Sequence, residues 1–256
     1  MSETAAQTVS VADKSAVVIG GTSGIGRAIA LAFADDGADV VATSRDADAV
    51  AEAAAELRER GAETTEVTCD VREMDSIERL YDEASAALGE IDVLVNSAGS
   101  VGRGSVTEMS MDEWELDIDT NLTGVFRACQ VFGREMDEGS IVNISSMSAG
   151  QAREERPAYC AAKSGVNGLT RAAAADLGPD VRVNAIEPGF VVTPLAGDAF
   201  EEGTDLRAQI DDRTPMERVA RADEIAGAAV YLASDAASFT TGEMITVDGG
   251  YDDSSL

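Results

Sequence analysis

The chain has 256 residues, 45% hydrophobic but only 4% aromatic, enough for one large core built from Ala, Val, Ile and Leu. Forty-eight acids against 19 bases give a net charge of −29, which repels nucleic acid and anionic membranes. The lack of histidine excludes imidazole acid–base chemistry and argues against zinc, and no apolar run approaches the ~18 residues of a membrane span.

Residues 1–13 are polar and acidic, without the basic and apolar regions of a signal peptide, and are expected to form a disordered lead-in to a cytoplasmic protein. From residue 14 to 256 a single domain is expected. Strand-length apolar runs occur at Ala16–Gly20, Asp39–Thr43, Glu66–Thr68, Ile91–Asn96, Ser140–Ser145, Arg182–Ile186 and Glu243–Val247. Between them lie helical patterns, with Ile25, Ile29 and Phe33 on one face of the first and a long helix over Leu116 to Met136. This alternation predicts an α/β fold, a doubly wound parallel sheet with helices on both faces. Residues 195–218 break the alternation with glycines, a proline and many acids, and read as a flap over the site.

Cys69, Cys129 and Cys160 are too widely and irregularly spaced for a disulfide framework or a metal cluster, and Cys160 reads as a small buried residue. The acids are spread along the whole chain, and only Lys14 and Lys163 are lysines. Such a coat is compatible with a solvated acidic face or an acidic partner-binding surface. Its evenness favours the pattern of salt-loving organisms, in which ions screen self-repulsion.

Three motifs carry chemistry. Gly20, Gly24 and Gly26 form a glycine-rich turn with Thr22, Ser23 and Ile25 between an apolar strand and an amphipathic helix, a place where free amides favour a phosphate. Ile141-Val-Asn-Ile-Ser-Ser146 is a buried strand ending in hydroxyls. Tyr159 and Lys163 stand one helical turn apart, so a phenol and an ammonium can share one pocket and the cation can pull the phenol pKa down from ~10.

In this order and spacing, the three motifs resemble the short-chain dehydrogenase/reductase family over about residues 14 to 251. The resemblance implies a catalytic set of Asn121, Ser146, Tyr159 and Lys163, with Ser148 as the alternative serine. In that set Tyr159 exchanges a proton with the substrate oxygen and Ser146 hydrogen-bonds it. Lys163 lowers the phenol pKa and positions the ribose, while Asn121 opens a helix and holds a water against the lysine. Asp70 and Val71 match the adenine contact, although Asp70 also reads as a helix N-cap. Asn96, Ala98 and Gly99 match the segment after the next strand, with Ser97 replacing the family's second asparagine. Pro188, Gly189, Val191 and Thr193 match the grip on the nicotinamide carboxamide. At the second strand end, Ser44 stands where an NAD-specific member usually carries an acid, and Arg45 can pair with a 2′-phosphate. Both indicate NADP(H) over NAD(H).

The resemblance implies an activity that interconverts a secondary alcohol and a ketone of a small molecule by hydride transfer, in a homotetramer. Charged and amide groups at Gln151, Arg153, Glu154, Glu155 and Arg156 lean toward a sugar or sugar-acid substrate. A 3-oxoacyl thioester is the competing substrate, and a non-catalytic NADP(H)-binding sensor the competing class of function.

Overall fold

Ser15-Ala-Val-Val-Ile19 is buried along its whole length, as an interior parallel strand must be when helices cover both sheet faces. The computed structural model describes residues 8–252 and bears this out. Six parallel strands, β1 (Ser15–Ile19), β2 (Asp39–Thr43), β3 (Val93–Asn96), β4 (Gly139–Ile144), β5 (Val181–Pro188) and β8 (Met244–Val247), pair in the order β2-β1-β3-β4-β5-β8. β1 is paired on both sides, with Val17 opposite Val41 of β2 and Leu94 of β3.

The two-residue pleat divides the core in two. Ala16, Val18, Val40, Val95 and Ile144 face α1 (Gly24–Asp35) and α8 (Asp223–Ala233), where Ile29, Phe33 and Ile225 fill the layer. Val17, Ile19, Val41, Leu94 and Ile141 face the opposite layer of α3 (Met74–Leu88), α5 (Gly124–Glu135) and α6 (Pro157–Leu177), around Leu80, Phe132 and Val166. Truncating a fully buried ring such as Phe33 to alanine would cost about 3–5 kcal/mol. The remaining helices are α2 (Ala47–Glu59), α4 (Met111–Ile118) and α7 (Asp205–Arg213).

Three expectations need correction. Glu66–Thr68 is not a sheet strand: isolated bonds, such as Cys69 N–H to the Ser44 carbonyl at 2.9 Å and Val40 N–H to Glu63, tie residues 62–69 to β2 without a ladder. The expected helix over Leu116 to Met136 starts earlier, at Met111, and is interrupted by a π-helical turn over Asp119–Thr123 between α4 and α5. Of the expected lead-in, residues 1–7 lie outside the described residues, but 8–13 are docked. Val11 is fully buried, and its N–H and the Ser10 hydroxyl both donate to the Asp36 carboxylate.

The 195–218 excursion carries a short 3-10 stretch and α7. A two-stranded parallel pair, β6 (Val191–Val192) with β7 (Ala220–Arg221), joins its two ends, so it projects as one unit from the end of β5.

Candidate active site

Each of β1 to β5 ends in the same place, and the residues that follow them line one cleft of about 750 Å³. Gly20 follows β1, Ser44 and Arg45 follow β2, Ser97 to Gly99 follow β3, Ser145 and Ser146 follow β4, and Gly189 follows β5. This is where a doubly wound sheet offers room to a ligand, outside the strand carboxyl ends.

The glycine turn closes one wall. Gly20 has φ +80°, and a Cβ there would stand 2.5 Å from the Ala98 nitrogen. At Gly26 a Cβ would stand 2.1 Å from the Gly20 carbonyl oxygen, so this glycine packs the helix against the turn and does not itself line the cleft. Gly24 (φ +53°) and Ile25 open α1 onto the cleft, and Ser23 at the N-cap makes no side-chain hydrogen bond to the first-turn amides. Uncapped amides at a twelve-residue helix N-terminus, beside backbone stripped of Cβ atoms, fit the pyrophosphate of a dinucleotide.

At the far end, Ser44, Arg45, Asp70 and Val71 share the cleft wall. The Arg45 side chain makes no ion pair or hydrogen bond among the described residues, its charge acts on the Asp70 carboxylate, and it precedes Asp46, the N-cap of α2. Asp70 does not cap α3, whose N-cap is Glu73; its carboxylate takes two bonds from Arg72 Nε and one of 2.6 Å from Nη2, which hold it below the usual carboxylate range. The set therefore presents hydroxyl and cation to a ribose and no free acid beside Ser44, which fits a 2′-phosphate.

The expected proton-transfer residues come together at the centre. Tyr159 and Lys163 lie on α6, and Ser146 lies just past β4. The Ser146 hydroxyl acts on the Tyr159 phenol as a hydrogen-bonding partner and accepts from Ser148 N–H at 3.1 Å. Ser148 also lines the cleft, but Ser146 is the serine whose hydroxyl acts on the phenol pKa. Asn121, at the π-helical turn, is fully buried: its amide donates to the carbonyls of Ser100 and Asp117, both at 2.9 Å. The turn thus frees a backbone register that the asparagine partly satisfies.

One electrostatic expectation is corrected. The Tyr159 pKa stands above its ordinary value because burial disfavours the phenolate, and the groups that oppose this are Ser146, Arg156 and Arg153. Lys163, the other member of the pair, is itself buried. Its Nζ donates to the Ile144 carbonyl at 2.8 Å and stands 5.6 Å from the Tyr159 ring centre. Burial brings the lysine itself down to about 8, opposed by the Asp117 carboxylate. Asp117, 1% exposed, was not legible as a site residue. It accepts from the Ser100 hydroxyl at 2.7 Å and Gly102 N–H at 2.9 Å, pinning the loop after β3 over Asn121.

Asn96 is the second departure from the expected set. Its amide donates to Asn143 of the adjacent strand at 2.9 Å, and it lies within the sheet and not on the cleft. Pro188, Gly189, Val191 and Thr193 all line the cleft as expected. So do Arg153, Glu154 and Arg156, whereas Gln151 donates to Asp252 and Cys160 is half-buried with its thiol toward the Gln151 carbonyl. The excursion adds Leu195, Phe200 and Leu206 to the cleft lining. Phe190 anchors it, with Phe200 edge-on at 5.2 Å and Tyr251 at 5.0 Å. Arg103 and Phe190 were missed because loops carry no periodicity, whereas Leu195, Phe200 and Leu206 fall within the 195–218 segment expected from the sequence to lie over the site.

Comparison with known proteins agrees with this geometry. The profile of a family described as Enoyl-(Acyl carrier protein) reductase matches residues 20–252. A D-threitol dehydrogenase of Mycolicibacterium smegmatis is 42% identical over 93% of this chain and 92% of its own. A cis-4-hydroxycyclohexanecarboxylate dehydrogenase of Sinomonas cyclohexanicum is 40% identical over 94% of this chain and 97% of its own. Among solved structures, one described as an NAD(P) dependent gluconate 5-dehydrogenase of Beutenbergia cavernae, with bound NADP at low occupancy, superposes with a TM-score of 0.90. It is 39% identical and covers 96% of this chain and 99% of that one.

Proposed function

From the premise that this chain belongs to the short-chain dehydrogenase/reductase family, an oxidoreductase family acting on alcohols, we propose that it interconverts a secondary alcohol and a ketone with NADP(H), on a sugar or sugar-acid substrate. The observation that carries the reading is the meeting of the Tyr159 phenol, the Ser146 hydroxyl and the buried Lys163 ammonium at the strand ends, beside the glycine turn. When bound, NADP(H) supplies the hydride donor or acceptor.

The chain's own groups do the rest. The glycine-turn amides hold the pyrophosphate, Ser44 and Arg45 the 2′-phosphate, and Pro188, Gly189, Val191 and Thr193 the nicotinamide side. Ser146 donates to the substrate oxygen and steadies the negative charge that develops there. Tyr159, its proton retained by burial at neutral pH, gives that proton to the oxygen in reduction and takes it back in oxidation. Lys163 keeps a cation against this proton path and orients the ribose, and Asn121 positions a water that refills it. The 195–218 excursion acts as the substrate flap. The polar wall of Arg153, Glu154 and Arg156 supports a hydroxylated substrate, and the acid-rich surface supports a life in high salt, in the cytoplasm. Exposed Leu116 on α4 and Phe126 on α5 support association into a tetramer.

A second substrate class is favoured by one specific observation: Leu195 and Leu206 line the cleft yet are about half exposed, an apolar lip that an acyl chain could cover. Steady-state assays decide between the two, with NADP⁺ against sugars, polyols and sugar acids, and with NADPH against acetoacetyl-CoA. Activity in the first set and little in the second is expected. In Tyr159→Phe the active reaction should fall by about 10²- to 10⁴-fold while NADPH affinity is retained. Efficient acetoacetyl-CoA reduction alone would reassign the substrate. Tight NADPH binding with no turnover of any compound would make the chain a sensor.

A further inference from the structure

The cleft holds more positive charge than NADP(H) binding through Arg45 would absorb. Arg45, Arg103, Arg153 and Arg156 make no ion pair and donate no hydrogen bond among the described residues, and all four line the cleft. Every other arginine donates to a carboxylate, a carbonyl or, at Arg213, the Tyr251 hydroxyl. In a chain where 48 acids surround 19 bases, a guanidinium without a partner is the exception. The acids of the cleft wall pair with none of Arg103, Arg153 and Arg156: Asp70 is held by Arg72 and feels the charge of Arg45, and Glu154 is exposed.

Arg45 stands at the β2 end, with the proposed 2′-phosphate. Arg153 and Arg156 stand at the other end, close enough to Tyr159 to act on its phenol. The Arg153 guanidinium lies 4.3 Å above the Phe190 ring, which is itself braced by Phe200 and Tyr251. One face of the cation is therefore desolvated and its orientation is set, while its donors have no acceptor. Burial lowers the Arg153 pKa, as it does for a cation lacking a counter-charge. Glu155, between the two arginines, adopts φ +58°, an uncommon state for a side chain of this size. Its carbonyl accepts from Gly104 N–H at 2.9 Å, joining this loop to the one that carries Arg103.

We infer that Arg153 is the carboxylate-binding residue of the substrate site, with Arg156 and Arg103 as flanking cations, and that the substrate is a polyhydroxylated acid anion. This deepens the alcohol–ketone reading above and rests on it. The planar fork of a guanidinium matches a carboxylate through two parallel bonds, which a neutral polyol cannot supply. The local cations also offset the repulsion that the rest of the −29 chain exerts on an anion.

The test uses matched pairs that differ only in a terminal carboxylate: threonate and threitol, xylonate and xylitol, gluconate and glucitol. Each is titrated by calorimetry into the enzyme–NADPH complex, and its NADP⁺-dependent oxidation is measured separately. The best acid should bind about 10- to 100-fold tighter than its polyol. That ratio should collapse toward one in Arg153→Met and recover in part in Arg153→Lys. Equal binding of acid and polyol by the unaltered enzyme, binding of neither, or a ratio indifferent to Arg153→Met would overturn the inference. Oxidation of acids and polyols alike, without preference, would overturn it while the alcohol–ketone reading stood. Selective, Arg153-dependent acid binding with no turnover of any alcohol or ketone would instead support the carboxylate site and remove the catalytic reading.

Discussion

Lys163 shows how much of a residue's behaviour depends on what surrounds it. Its ammonium is almost fully buried, with the Ile144 carbonyl as hydrogen-bond partner and Asp117 as the acid that acts on it. Desolvation brings its pKa from 10.5 to about 8. Because the folded value is the lower one, the unfolded chain binds more protons between about pH 8 and 10.5, and stability contributed by this group rises with pH across that window. Lys163→Met should therefore melt above the unaltered protein at pH 7, with the gap narrowing as pH climbs from 8 toward 10.5. A gap that is absent, or that widens with pH, would show the ammonium to be well compensated. At this scale the sequence revealed Ser146, Tyr159 and Lys163 because their spacing is a motif. It could not reveal Asp117, whose importance comes from bonds to Ser100 and Gly102 some fifteen residues away.

Among the elements, strands with continuous apolar runs were legible and the marginal one was not. Glu66–Thr68 has strand-like residues, but its bonds to β2 are isolated, and no alternation in three residues can foretell that. The π-helical turn at Asn121 was likewise invisible as helical periodicity, since one extra residue per turn leaves the apolar pattern on either side intact. The end of β2 carries the cofactor preference. Ser44→Asp with Arg45→Ala removes the cation meant for a 2′-phosphate and adds a carboxylate that repels it, so the kcat/KM ratio should swing from NADP toward NAD by at least ~100-fold. An unaltered enzyme already faster with NAD would refute the assignment of this strand end.

For the molecule as a whole, charge is the dominant variable. At −29 the surface repels itself, and the ion pairs present are mostly exposed contacts worth about 0–1 kcal/mol each. Raising KCl from 0.1 M to 2 M shortens the screening length from ~10 Å to under ~3 Å, so the melting midpoint should rise by several degrees or more. A flat or falling midpoint would count against adaptation to high salt. The sequence by itself determined the alternating parallel architecture, the glycine turn and the Tyr159–Lys163 pair, because backbone conformation and helical spacing are local properties. Only the tertiary structure decided that Asn96 belongs to the sheet interior, that Asn121 sits on a π-helical turn, and that burial holds the Tyr159 proton more firmly than its neighbours release it. It alone brought Arg103 into the same cleft as Arg153 and Arg156, because desolvation and charge pairing depend on groups that are distant along the chain and adjacent only once it has folded.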